Sequence, residues 1–316
     1  MALTRTMLGR SLLAALLVVT MHAEDTPSIR VQVSQFHMGM MVDLIVYAST
    51  EEAGKAACAD AFTRIASLNR ILSDYEPDSE LNRLCAHAGQ GPQPISDELF
   101  TVLTAAQRLA QACDGRFDVT AAPLIRLWRA ARKAGCLPDS AALSAAMPLV
   151  GYRNLRLDAG TRSAELVLPG MHIDLGAIAK GYIGDQALAI LRQRGIAACA
   201  FVAGGDMVFG AAPPGTTGWP VRPAKSDLAE MALADCACAV SGDTAQFLEV
   251  DGVRYSHVID ATTGRALTER RMCIVISPRG IDADALSTIG TLLPEADFSA
   301  LAAQTPGTRQ WVFTLK

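Results

Sequence analysis

The sequence has no cluster of positive charge. Its 28 lysines and arginines are outnumbered by 32 acidic residues, for a net charge of −4 over 316 residues. Nucleic-acid binding needs a concentrated basic surface, so that class of partner is excluded. Beyond the first two dozen residues there is no apolar run near the roughly 20 residues that a membrane-spanning helix requires. The eight cysteines form no Cys-x-x-Cys pairs, so zinc binding is not expected. Cys236 and Cys238 are too close for an ordinary disulfide and fall in an alternating strand pattern, and most of the cysteines read as buried free thiols. The chain also lacks the Gly-Lys-Ser/Thr of a phosphate loop, the glycine fingerprint of a dinucleotide fold, internal repeats and low-complexity tracts.

A hydrophobic content of 50% against 19% charged residues supports a large core and one or two domains. The N-terminus reads as an export signal. Arg5 and Arg10 precede a short apolar core over residues 11–20, and Ala23 is a plausible last residue before cleavage. Residues 1–23 are therefore expected to be removed, leaving residues 24–316 as one soluble, exported, periplasmic catalytic unit. The alternatives, an uncleaved anchor or a buried helix, suit so short a stretch less well. No cysteine near the junction invites a lipid.

Strand patterns open the mature chain at residues 29–36 and 41–48. Helical spacing of Ala57, Ala61, Ile65 and Leu68 marks a helix over 51–72. Ser96 is a natural N-cap for a second, running to 113. A short helix follows over 123–132, and 138–148 is an Ala-rich helix or loop. Residues 155–157 and 165–168 read as paired strands, and 178–194 as a helix. Short strands then dominate to residue 276, before helices at 282–293 and 295–304 and a last strand near Trp311. Helices first and strands later, joined by hairpin-type turns, argue for an α+β fold with mixed, largely antiparallel sheets and flanking helices.

The chemistry concentrates in polar stretches between these elements. Asp284 and Thr288 stand four apart in a helical segment and so share a face. A carboxylate beside a hydroxyl offers hard oxygen ligands suited to Mg²⁺ on phosphates, although an acidic residue near a helix start is also favourable for dipole reasons alone. Residues 171–181 run from a strand into a helix. That glycine-containing turn could receive an anion with help from Lys180, or be an ordinary turn capped by Asp174. Gly204-Gly205-Asp206 permits close approach of a ligand or a tight turn. His257, in an alternating strand, could accept a proton or be structural, and Asp260 could cap the turn at Thr262-Thr263-Gly264. Tyr75, in a polar turn over 72–81, could stack on a ring or cover the core. Residues 114–128 could cradle a flat ligand or stop one helix and start another.

Taken in order, Met38-Gly39, 72–81, 115–128, 173–185, 204–206, Ser241-Gly242, 257–264 and 283–288 resemble the ApbE-type flavin transferases, the FAD:protein FMN transferases, over nearly all of the mature chain. The resemblance implies a T-fold-like α+β enzyme that uses Mg²⁺ and FAD. It would transfer FMN to a threonine or serine hydroxyl of an acceptor flavoprotein and release AMP. It places Met38, Tyr75, Arg116, Phe117, Asp118, Asp174, Lys180 and Ile259 around FAD. It assigns the metal to the Ala177 carbonyl, Asp284 and Thr288, and makes His257 the base. It suggests redox-pump subunits or respiratory regulatory flavoproteins as acceptors. The sequence departs from the family pattern in lacking a proline after Asp260, in Met40 where threonine is usual, and in Ser287 where some members carry a second carboxylate. Two alternatives share the donor site: an FAD pyrophosphatase giving FMN and AMP, and a non-catalytic flavin-binding assembly factor.

Overall fold

A computed structural model describes residues 28–223, 228–243 and 246–315. The expected signal at 1–23 lies outside the described residues. Seven strands build the central sheet: Ile29–His37 (β1), Met40–Ala48 (β2), Cys199–Ala203 (β3), Asp206–Phe209 (β4), Cys236–Gly242 (β5), Arg271–Ser277 (β6) and Arg309–Thr314 (β7). Their order in space is their order in the chain, and every neighbouring pair is antiparallel. Alternation sets the faces: Val42, Leu44, Val46 and Ala48 pack on one side with Val31, whereas Ile45 and Tyr47 turn to the other.

Eight α-helices are seen among the described residues: Glu51–Leu72 (α1), Glu80–Ala86 (α2), Asp97–Ala112 (α3), Ala122–Ala134 (α4), Ser140–Ala146 (α5), Ala179–Gln193 (α6), Gly280–Leu292 (α7) and Glu295–Ala302 (α8). None is long and apolar enough to cross a membrane. Thr50 caps α1 and Ser96 caps α3 through their side-chain oxygens, and the expected stripe Ala57, Ala61, Ile65 and Leu68 is buried. The polar turn expected to extend to residue 81 instead ends early. Ser79 Oγ accepts from Asn82 N at 3.0 Å and starts α2 at Glu80.

Helices α1, α6 and α7 cover one face of the sheet. The other face packs Phe209, Met272, Ile274 and Ile276 under a hairpin of Trp219–Val221 with Met231–Leu233. Two more hairpins leave the sheet between β5 and β6, and their Leu248, Ile259 and Ala266 pack against Trp128 of α4. The whole is α+β with antiparallel sheets and flanking helices, as expected. Six of the eight cysteines are buried and all are free thiols.

One contact between helices positions the site. A Cβ on Gly181 would lie 2.0 Å from the Gly280 carbonyl oxygen, and one on Gly280 would lie 2.3 Å from the Gly181 oxygen. Only a glycine pair lets the starts of α6 and α7 touch backbone to backbone.

Candidate active site

That contact places the second turn of α7 beside the first turn of α6. Asp284, buried on α7, accepts a hydrogen bond from Gly181 N at 3.0 Å through Oδ2. Its Oδ1 lies 3.2 Å from Lys180 Nζ, which also lies 3.3 Å from Asp206 Oδ2 and donates to the Gly176 carbonyl at 2.7 Å. Three elements thus meet around one ammonium: the loop into α6, the first residue of β4, and α7. Burial alone would depress the Lys180 pKa, but Asp206 and Asp284 overcome it and hold the ammonium above its ordinary value. Burial, aided by Asp284 and opposed by Lys180, pushes Asp206 up to about 7. Buried charges persist only when paired in this way.

Thr288, one turn beyond Asp284, lies with its hydroxyl 3.1 Å from Ser241 Oγ on β5. Ser241 Oγ is also 2.7 Å from Ser287 Oγ, and Ser287 donates to the Asp284 carbonyl at 2.8 Å. Ser287 is thereby committed to the helix. No group of three or more His, Cys, Asp or Glu side chains that could hold a metal occurs among the described residues. A site here must combine carboxylate with neutral oxygens. The residues present fit that demand. Asp284 already holds a cation, Thr288 offers a hydroxyl on the same face, and nothing among the described residues donates to the Ala177 carbonyl.

The residues expected around FAD are carried to the same end of the sheet by different elements. Met38 makes the β1–β2 turn with a left-handed φ of +52°. Met40 Sδ, at the start of β2, reaches to 3.7 Å of where a Cβ on Gly204 would be, so this turn meets the β3–β4 turn just before Asp206. The Arg116 loop joins the 260–264 turn: Arg116 Nε donates to Asp260 Oδ2 at 2.9 Å, and Ala261 N donates to the Arg116 carbonyl at 3.1 Å. Asp260 Oδ1 holds the turn by accepting from Thr262 N at 3.0 Å, which does the work without a following proline. Phe117 and Ile259 are buried.

Asp118 is spent on structure. It accepts from Thr120 N at 2.8 Å, from Thr120 Oγ1 at 2.7 Å and from Tyr152 N at 2.6 Å. Burial still keeps its pKa raised. Asp174 does not cap α6, whose N-cap is Ile178 with no side-chain cap bond. It accepts from Gly176 N at 2.8 Å and pairs with Arg129 at 2.6 Å. Burial and nearby Asp74 push Asp174 up, and Arg129 opposes them. Arg129 also pairs with Asp74 at 2.6 Å and sits 4.8 Å from the Tyr75 ring centroid, while that ring is 73% exposed. An unbroken series of contacts therefore runs from Tyr75 through Arg129, Asp174, Gly176 and Lys180 to Asp284.

His257 lies not inside a strand but between the short strands Val253–Ser256 and Ile259–Asp260. Its Nδ1 is 3.2 Å from the Gln246 carbonyl oxygen, which can only accept, so Nδ1 carries the proton and Nε2 keeps its lone pair. The ring is solvent-exposed, yet desolvation by the surrounding protein lowers its pKa.

Arg129 and Asp206 are absent from the expected site residues. Asp206 carried a signal in the Gly-Gly-Asp turn. Arg129 carried none, because an arginine on an amphipathic helix reads as a solvated face.

The fold recurs in solved proteins. The chain superposes on a flavin transferase from Vibrio cholerae with a TM-score of 0.80 at 27% identity, covering 92% of this chain and 95% of that one. An apo flavinyl transferase from Pseudomonas stutzeri gives a TM-score of 0.80 at 25% identity, covering 92% of each. These likenesses define the class as flavin-transferase-like. The ApbE family's sequence model matches residues 38–313, and the chain belongs to that family. The FAD:protein FMN transferase of Treponema pallidum is 30% identical over 272 residues, 80% of this chain and 75% of that protein. The one from Vibrio cholerae is 31% identical over 230 residues, 70% of this chain and 68% of its own length.

Proposed function

We propose that the protein transfers FMN from FAD to a threonine or serine hydroxyl of an acceptor flavoprotein, releasing AMP, with Mg²⁺ as the divalent cation. The observation that carries this is the buried Asp284, already paired to an ammonium and one turn from Thr288, together with an Ala177 carbonyl to which no described residue donates. Membership of the ApbE family supports flavin transfer as the chemistry.

Ala177 through its carbonyl, Asp284 and Thr288 would hold the metal. Bound there, Mg²⁺ would neutralise charge developing on the pyrophosphate. The chain's own groups do the rest. Tyr75 offers an exposed aromatic face to the isoalloxazine, and Arg129 fixes its orientation. Lys180 brings positive charge to the first turn of α6, where the phosphates are received. His257 Nε2 takes the proton of the acceptor hydroxyl as the new O–P bond forms and the bond to AMP breaks. The hydroxyl otherwise needs only positioning, since proximity supplies much of the rate.

The remaining expectations stand as proposals: residues 24–316 as a single catalytic unit, removal of 1–23 on export, a periplasmic location, and an acceptor among redox-pump subunits or respiratory regulatory flavoproteins. Mass spectrometry of the mature protein and of co-expressed candidates tests these. An unprocessed N-terminus would remove the export assignment.

The activity is tested by incubating protein, FAD and MgCl₂ with an acceptor, reading in-gel flavin fluorescence and the acceptor's mass. Flavin fluorescence and an added FMN are expected. Asp284→Ala should lower turnover at least about a thousand-fold, on the scale of losing a metal's charge stabilisation, while retaining FAD binding. Equal turnover in that variant, or free FMN with unmodified acceptor, would overturn the assignment.

A further inference from the structure

Lys180 spends all three donors of its ammonium inside the site. They point to the Gly176 carbonyl at 2.7 Å, Asp284 Oδ1 at 3.2 Å and Asp206 Oδ2 at 3.3 Å. Two of these partners are buried carboxylates on different elements, Asp284 on α7 and Asp206 at the start of β4. Two anions for one lysine is an unbalanced arrangement, and a buried carboxylate is costly without a full counter-charge. Nothing in the fold requires an acid at Asp206. A neutral side chain there would leave the β4 backbone pairing intact, since that pairing is made through main-chain atoms.

We infer that Lys180 competes with the divalent cation for Asp284, and that Asp206 is the positioning residue that keeps the ammonium when the cation takes Asp284. This rests on the metal site proposed above. A Mg²⁺ sits about 2.0–2.1 Å from its oxygen ligands. An ammonium on the same carboxylate oxygen would then be a close like charge in a poorly solvated place. It must release Asp284, and it has two seats left, Asp206 and the Gly176 carbonyl. The lysine stays at the start of α6, where phosphate arrives, with its charge no longer shared with the metal's own ligand. Asp206 thus acts through Lys180 and touches neither metal nor substrate.

The competition gives opposite signs for the two residues. Lys180→Met removes the competing cation, so Mg²⁺ should bind at least ten-fold more tightly. Asp206→Asn removes the alternative seat and commits Lys180 to Asp284, so Mg²⁺ should bind about ten-fold more weakly. A bare charge effect of Asp206 on the metal would persist without the lysine. In the Lys180→Met background, therefore, Asp206→Asn should change affinity by less than two-fold.

The measurement is calorimetric titration of MgCl₂ into the flavin-free protein, with thermal melting as a check on folding. Lys180→Gln, which keeps a neutral donor, substitutes for Lys180→Met should that variant fail to fold, with the same sign expected. Weaker Mg²⁺ binding in both Lys180 variants overturns the competition. An undiminished effect of Asp206→Asn in the double variant overturns its action through Lys180. Absence of saturable Mg²⁺ binding in the wild type, or wild-type affinity in Asp284→Ala, instead overturns the metal site on which both depend.

Discussion

Asp185 and Asp284 cap each other's helices. Asp284 of α7 accepts from Gly181 N in the first turn of α6, and Asp185 of α6 accepts from Gly280 N at 2.7 Å and Ile281 N at 3.1 Å in the first turn of α7. Each carboxylate satisfies backbone donors that its partner helix leaves unpaired and meets the positive end of that helix's dipole. The exchange is possible because Gly181 and Gly280 let the backbones touch. The carboxylate that faces the site is therefore fixed by the packing of two helices and not by its own loop.

Asp185 gives the fold a pH signature. Burial raises its pKa to about 6, although the two N–H groups and Arg279 oppose this. A carboxyl whose folded pKa exceeds its unfolded value binds its proton more readily when folded. Its contribution therefore favours the fold as pH drops from about 6 toward about 4 and is lost as pH rises through 6. Asp185→Asn should lose that dependence. Melting curves at pH 7 and pH 5 should show the variant falling further behind the wild type at pH 5. A constant gap between the two would remove Asp185 as the titrating group.

Gly181→Ala tests the helix contact. Its Cβ would fall 2.0 Å from the Gly280 oxygen, a backbone atom that cannot turn aside. Overpacking of this kind costs about 3 kcal/mol. Chemical denaturation should show at least that loss, together with weaker Mg²⁺ binding, because Gly181 N is the donor that holds Asp284. Wild-type stability would mean that the two helices can separate freely.

Tyr75→Ala should separate binding from folding. The ring is mostly exposed and its main neighbour is the Arg129 guanidinium. Stability should change by less than about 0.5 kcal/mol, as for ordinary surface substitutions. FAD affinity, read by flavin fluorescence on titration, should fall about ten-fold, the scale of an aromatic stacking contact. Unaltered affinity would show that the flavin does not use this face.

His257→Ala should cut transfer by about 10²–10⁴-fold, the range of general-base contributions, with little change in FAD affinity. Desolvation lowers the pKa of His257, so the neutral, proton-accepting form prevails at pH 7. The acid limb of kcat/KM in the wild type should have its midpoint below about 6.5, the unperturbed histidine value. That limb should be absent from any residual activity of the variant. A limb that survives the substitution would assign the proton to another group.

Much of the secondary structure was legible because local forces set it. The stripe of Ala57, Ala61, Ile65 and Leu68 and the Ser96 cap are properties of a few neighbouring residues, and they appear as expected. Helix α2 was not legible, because its seven residues are too few for a clear period and its start depends on Ser79 within a polar run. His257 read as a strand residue since alternation continues across it, whereas the backbone breaks there between two short hairpins. Asp174 read as a helix cap because it precedes one. Its carboxylate instead goes to Arg129, 45 residues away in the chain.

What the sequence by itself determined is the supply of chemical groups and the class of fold: a carboxylate and a hydroxyl at Asp284 and Thr288, a lysine at a helix start, an α+β alternation, and an ordered set of motifs resembling one family. The tertiary structure decided which groups share charge. Lys180 and Asp284 lie 104 residues apart, and no local pattern couples residues at that separation. Their meeting depends on a backbone contact between two glycines and on the buried Asp206 arriving from a third element. Ion pairing in a poorly solvated interior is a matter of distance in space, which the chain fixes only once it has folded.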